Sequence, residues 1–300
     1  MKHFIDISNL SKERLISILN ASIQNKNECN SKEKLNKVIG LFFEKNSTRT
    51  RLSFELAINQ LGSSSIFISS KDSHFGQGKE SLEDTSKTFA LYLDAVVMRV
   101  KKHKTLSSFA ENSSIPIING LSDLSHPCQT LAGLMTLIEE KGTLENLNLV
   151  WLGPITNVAH SWIDAHKLKL GFNFHIFCPE AYSNKYQNKL QSYDLETELD
   201  SVLHNKIDND ILNSADAILT DTWKSMGEEI NENDLHQLDK FCVTEELFNK
   251  AKKSCIFMHC LPASRGQEVE EKVIDGPNSR IWIEAKNRLF VQQQILRELL

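Results

Sequence analysis

The chain has 300 residues, with 34 Lys and Arg against 39 Asp and Glu and a formal net charge of −5, and a chain of this length folds as one or two domains that bury roughly 75% of the unfolded surface. No basic excess points to nucleic acid, because the short clusters Lys101, Lys102, Lys104 and Lys252, Lys253 read as solvated faces. No stretch approaches the roughly 18 apolar residues of a membrane span, and the opening MKHFIDISNLSKERL has no apolar segment with a small-residue cleavage site, so a cytoplasmic protein with no membrane partner is expected.

In chain order, an opening helix carries Leu15, Ile18, Leu19 and Ile23 on one face. Val38 to Phe43 (VIGLFF) is short, branched and aromatic, which suits a buried strand. Arg51 to Leu61 has helical spacing, with Leu52 and Leu56 beside Phe54, Ile58 and Leu61. Further strands are expected at 65–68, 95–98, 116–118, 147–152, 174–177, 217–220 and 255–259, separated by amphipathic runs. This rhythm predicts an α/β fold: two doubly wound parallel-sheet domains joined by interdomain helices. Lys141-Gly142-Thr143 ends a helix ahead of the strand in LENLNLVWLG, so the domain boundary is placed near residue 140. Residues 185–210 are polar and carry little signal. The six cysteines, Cys29, Cys128, Cys178, Cys242, Cys255 and Cys260, lack Cys-x-x-Cys pairing, which predicts thiols that are mostly core filler and no metal site.

The unusual residues follow the expected strands. Ser47-Thr48-Arg49-Thr50-Arg51 follows the first, Arg99 follows AVVM, and His126-Pro127-Cys128-Gln129 follows PIING. In the second half Asn157 follows LVWLG, Asp221 follows AILT, and Cys260 follows CIFMH. In open parallel sheets that edge is where ligands bind. Hydroxyls and guanidinium groups at a helix start suit a phosphate, whose charge is met by backbone N–H groups as well. The same residues also fit an ordinary capped helix with solvated arginines. His126 taken alone is more often structural than catalytic. His259-Cys260-Leu261-Pro262-Ala263 offers a thiol at a Pro-enforced turn, and no oriented base for a covalent cysteine mechanism stands beside it. Asp221 to Gly227 supplies a carboxylate for an ammonium group, or a capping Asp in a surface loop.

Together, these runs resemble the aspartate/ornithine carbamoyltransferase family and its ornithine-specific branch. The likeness extends from KHFIDISNLSKE through NGLSDLSHPCQTLAGL and NVAHS to VIDGP and EAKNRL. It implies a carbamoyl phosphate-binding domain at 1–140, an ornithine-binding domain at 141–284 and a last helix, 285–300, returning to the first domain. The implied reaction transfers the carbamoyl group of carbamoyl phosphate to the side-chain amine of L-ornithine, giving citrulline and phosphate in arginine biosynthesis. No cofactor or metal is implied. By the same resemblance Ser47, Thr48, Arg49, Thr50 and Arg99 hold the phosphate, and His126, Gln129, Arg288, Cys260 and Leu261 complete the carbamoyl site. His74 reaches a neighbouring subunit's phosphate in a homotrimer or a multiple of trimers. Asn157, Asp221, Ser225 and Met226 match the ornithine contacts. Thr50, Arg99, His126 and Cys260 are the implied catalytic groups, and domain closure is expected to bring the substrates together.

Three departures from the family pattern stand out. Gly153-Pro154-Ile155-Thr156-Asn157 keeps only the ends of the usual Gly-Asp-Gly-Asn-Asn, Ser264 stands where His is usual, and the loop from Asp72 to Ser81 is one residue longer. A relative that carbamoylates another amine, such as putrescine or an N-acylated ornithine, and a noncatalytic relative are the alternative readings.

Overall fold

Val38–Phe43 reads as a nearly continuous apolar run because it is a central parallel strand with both faces covered. A computed structural model describes residues 2–28, 34–75, 77–196, 199, 202–224 and 232–300. By contact density the chain divides into two units, 1–135 with 286–300, and 136–285.

The first unit holds strands β1 (Val38–Phe43), β2 (Ser64–Ser69), β3 (Ala95–Arg99) and β4 (Ile117–Leu121), all parallel, in the order β2-β1-β3-β4. Helices α1 (Lys12–Glu28), α2 (Thr48–Gln60), α3 (Leu82–Tyr92) and α4 (His103–Asn112) connect and cover them. Phe42, Val96, Met98, Leu106 and Phe109 form part of one core cluster. Helix α5 (Pro127–Lys141) begins in this unit and ends at Gly142, whose φ of +78° suits a residue without a Cβ. The C-terminal part of helix Ile281–Leu299 belongs to the same unit, where Arg14 pairs with Glu298 at 2.6 Å and Gln293 donates to Gln60 at 2.6 Å.

The second unit holds β5 (Asn148–Leu152), β6 (Asn173–Phe177), β7 (Leu203–His204), β8 (Ala217–Thr220) and β9 (Ile256–His259), parallel and ordered β7-β6-β5-β8-β9. Helix α6 (Asn157–Lys167) follows β5, and α7 (Glu180–Gln191) follows β6. Val150, Leu152, Phe177, Ile218 and Phe257 anchor its core.

Two parallel sheets agree with the expected α/β class, and the local differences have physical causes. Strand β4 runs on to Leu121 because buried Asn119 pairs with Met98 and Leu121 with Arg99, so the ladder continues past Gly120. Strand β7 is two residues long and half-buried, too short for an apolar pattern to mark it. Helix α2 begins three residues before Arg51, because Ser47 caps it by accepting from the Thr50 N–H at 3.2 Å. Its buried face is Thr50, Phe54, Ala57 and Ile58, whereas Leu52 and Leu56 face outward at 61% and 47% exposure. Among the described residues no helix is long and apolar enough to cross a membrane.

Candidate active site

Each sheet has one point where the strand order reverses, and in an open α/β sheet a crevice forms there beyond the strand carboxyl ends. In the first unit that point lies between β1 and β3, whose ends carry the Ser47–Thr50 turn and Arg99. In the second it lies between β5 and β8, followed by Asn157 and Asp221.

On the first unit, Thr48, Arg49 and Thr50 form the first turn of α2, where backbone N–H groups have no earlier carbonyl of the helix to bond. The register of β3 against β4 shifts between Met98 and Arg99, an irregularity of the kind that re-aims a side chain. Arg99 Nη1 donates to Thr50 Oγ1 at 3.4 Å, and Arg288 Nη2 donates to the same oxygen at 2.9 Å. All three residues are buried. Two guanidinium donors occupy both acceptor positions of that hydroxyl, so its own proton is left to donate elsewhere. The result is a polarised O–H between two fixed positive charges, an arrangement suited to an anion or a developing oxyanion. Arg51 plays a different part, since its guanidinium lies 3.8 Å from the centre of the Phe67 ring and its Nε donates to Glu55 at 2.8 Å.

His126 immediately precedes Pro127, the first residue of α5, and is buried. Burial, then the charges of Arg288 and Arg99, hold its pKa well below the ordinary value of 6.5. The ring is therefore neutral near pH 7 and offers one N–H donor and one acceptor. Gln129, almost fully buried, lies in the same first turn. His74 is exposed in the turn after β2, with its carbonyl accepting from the Lys79 N–H at 2.8 Å.

On the second unit, Asn157 opens α6 behind a Thr156 cap that accepts from the Ala159 N–H at 3.4 Å. The altered loop before it is well held. Trp151 Nε1 donates to the Pro154 carbonyl at 3.0 Å, and Gly153, at φ +111°, packs so closely that a Cβ would lie 3.0 Å from Trp223 Nε1. Asp221 is buried, and its Oδ1 accepts from Cys260 Sγ at 2.8 Å and from the Thr222 N–H at 2.7 Å. Ser225 and Met226 lie outside the described residues.

Two residues with a role at the Cys260 turn carried no site expectation. His259 Nδ1 accepts from the Leu261 N–H at 2.8 Å, and His259 Nε2 lies 3.4 Å from Glu268, which also accepts from the Ser264 N–H. Both side chains are fully buried. They fix the backbone of Cys260 and Leu261, the latter at φ +56° before a cis Pro262. A His closing the buried strand IFMH was the available signal. Elsewhere burial pushes the thiols of Cys128, Cys178 and Cys255 up to about 12, as core filler requires. Among the described residues no group of three or more His, Cys, Asp and Glu side chains is arranged to hold a metal.

Comparison with known proteins matches the two halves of the chain to two family models. Residues 2–139 match the model for the aspartate/ornithine carbamoyltransferase carbamoyl-P binding domain, and residues 145–299 match that for the Asp/Orn binding domain. The ornithine carbamoyltransferase of Geobacter metallireducens is 38% identical over 306 residues, covering 100% of this chain and 99% of its own. The solved ornithine carbamoyltransferase of Thermus thermophilus superimposes with a TM-score of 0.88 at 30% identity, covering 100% of this chain and 99% of that one. The anabolic ornithine carbamoyltransferase of Campylobacter jejuni gives 0.86 at 37% identity, with the same coverage.

Proposed function

The chain belongs to the aspartate/ornithine carbamoyltransferase family, and from that membership we propose that it transfers the carbamoyl group of carbamoyl phosphate to the side-chain amine of L-ornithine. The observation that carries the proposal is the Thr50 hydroxyl held between Arg99 and Arg288 at the head of α2. In the proposed reaction the phosphate rests on the first turn of α2, against Ser47, Thr48, Arg49 and Thr50 and beside Arg99. The deprotonated amine attacks the carbamoyl carbon, a C–N bond forms, and the carbonyl oxygen takes up negative charge. Thr50, Arg99, Arg288 and neutral His126 are the preorganised donors for that charge, and Gln129 holds the carbamoyl amide. The C–O bond to phosphate then breaks, and phosphate leaves already clamped by guanidinium and backbone N–H groups. The amine proton passes to solvent or to the departing phosphate.

Asp221 is assigned to the α-ammonium of ornithine, with Asn157, Ser225 and Met226 as further contacts, and Cys260 and Leu261 line the approach of the side-chain amine. In this reading 1–140 with 285–300 takes carbamoyl phosphate and 141–284 takes ornithine. The reaction needs no cofactor, because carbamoyl phosphate carries the leaving group and ornithine the nucleophile. We further propose a homotrimer or a multiple of trimers, with His74 contributing to a neighbouring subunit's phosphate. Its support is the apolar surface left uncovered on the first unit, where Leu52, Leu56, Ile66, Leu91 and Tyr92 are 47–77% exposed. A cytoplasmic place in arginine biosynthesis completes the proposal.

A panel assay with carbamoyl phosphate and ornithine, putrescine, N-acetylornithine, N-succinylornithine or aspartate tests the assignment. Ornithine is expected to give the highest kcat/KM by a wide margin. A higher value for any other amine would overturn the substrate assignment.

A further inference from the structure

The loop that carries His126 is closed by a ring of four side chains, of which His103, Ser122 and Ser125 are buried and Asp6 is half-buried. Asp6 spans the ring with both carboxylate oxygens: Oδ1 accepts from the Ser125 hydroxyl, and Oδ2 lies 3.2 Å from His103 Nε2. His103 Nδ1 is 2.8 Å from Ser122 Oγ, and Ser122 Oγ in turn accepts from the Ser125 N–H at 3.1 Å. The loop backbone closes the same way, the Ser122 N–H donating to the Ser125 carbonyl at 3.0 Å. Asn119 Nδ2 adds a donor to Ser125 Oγ at 2.9 Å, and the His103 N–H is tied to Asp123 at 2.8 Å. Ser122, Ser125 and Asn119 are fully buried.

The carboxylate sets every direction in this ring. Because it only accepts, His103 Nε2 carries a proton toward it, and with a neutral ring Nδ1 accepts from the Ser122 hydroxyl, which also lies 3.4 Å from the Ser125 carbonyl. Ser122 Oγ is then left with its lone pairs for the Ser125 N–H. Ser125 is thus held by backbone and side chain together. The next residue is His126.

We propose that Asp6 and His103 are positioning residues that set the His126 ring against the carbamoyl group, an inference that rests on the reaction proposed above. Both side chains act on Ser122 and Ser125, the residues that lead into His126, so their effect runs through the loop. A misplacement of about 1 Å at a reacting centre costs on the order of a hundredfold in rate. Breaking the ring should therefore lower kcat while leaving the phosphate cradle of α2 intact.

Asp6→Asn keeps the shape and inserts a donor into a ring that needs an acceptor. It is expected to lower kcat at least tenfold, with the Kd for inorganic phosphate, measured by calorimetry, within twofold of wild type. Ser122→Ala opens the ring by removing one hydroxyl and, being a small change, guards against a variant that does not fold; a loss of kcat of threefold or more is expected. His103→Gln keeps a donor for Asp6 and is expected to retain more activity than Asp6→Asn. NMR of the histidine-labelled protein gives a readout independent of turnover: His103 should be the Nε2–H tautomer in wild type and should change in Asp6→Asn. Wild-type kcat in both Asp6→Asn and Ser122→Ala would overturn the proposal, as would an Nδ1–H tautomer in wild type, or phosphate affinity falling in step with kcat. Absence of carbamoyl transfer by the wild-type protein would instead sink the proposed reaction, and the tautomer result would still stand.

Discussion

Thr50→Val removes a single oxygen from the centre of the candidate site. Valine fills nearly the same volume, is branched at the same carbon and leaves the helix start intact, because Ser47 caps α2 through the Thr50 backbone N–H at 3.2 Å. What disappears is the acceptor shared by Arg288 at 2.9 Å and Arg99 at 3.4 Å, together with the hydroxyl proton proposed to face the substrate. The shorter contact dominates the estimate. A hydrogen bond to a charged group contributes about 1.5–3 kcal/mol, or about tenfold to 150-fold in kcat/KM for carbamoyl phosphate. The longer Arg99 contact adds little, since hydrogen bonds weaken steeply toward its length. Thr50→Ser keeps the oxygen and both guanidinium partners, so its loss should stay within about threefold. Steady-state kinetics with carbamoyl phosphate varied at saturating ornithine measure all three proteins. If the Ser variant fell as far as the Val variant, the hydroxyl alone would not account for the loss. If Val kept wild-type kcat/KM, the converging arginines would be a structural pair and the proposed anion site would be wrong.

Arg49→Lys keeps the charge and loses the planar fork, so carbamoyl phosphate affinity should fall by an order of magnitude or more; near wild-type kinetics would leave the turn as a capped helix only. Asp221→Asn removes one partner of the proposed ammonium pair, which costs roughly 2–5 kcal/mol, or on the order of thirtyfold to a few thousandfold in ornithine affinity, with phosphate binding unchanged. Collapse of phosphate binding in that variant would make Asp221 structural. His126 gives a pH signature in stability. Its folded-state pKa is depressed by burial, Arg288 and Arg99, so below about 6.5 the unfolded chain takes up a proton that the folded chain refuses. The contribution is complete above the unfolded value and is lost as pH falls toward the folded one, by up to about 1.4 kcal/mol per pH unit. Stability plotted against pH between 5 and 7, from urea unfolding, should show a shallower slope for His126→Gln than for wild type, and identical slopes would mean that the ring takes up its proton as readily in the folded protein as in the unfolded chain.

What the sequence discloses depends on how local the cause is. VIGLFF, AVVM and AILT are legible as strands because burial on both faces demands branched and aromatic residues without interruption. Strand β7 is not, since two half-buried residues beside a longer neighbour need no pattern of their own. Periodicity located α2 but could not choose its buried face: Leu52 and Leu56 are as apolar as Phe54 and Ile58, and only the sheet decides which pair it covers. The site follows the same division. The Ser47–Thr50 turn announces an anion because capping and helix polarity act within four residues. Arg288 has no such local mark, lying in an ordinary helix 238 residues from the hydroxyl it reaches, and family resemblance was its only signal. His259 with Glu268, and Asp6 with His103, are harder still, because each is an isolated polar residue until the fold pairs it. Sequence therefore exposes the groups that meet the ligand sooner than those that hold them in place. The first kind must be chemically unusual, while the second need only be a common residue in the right place.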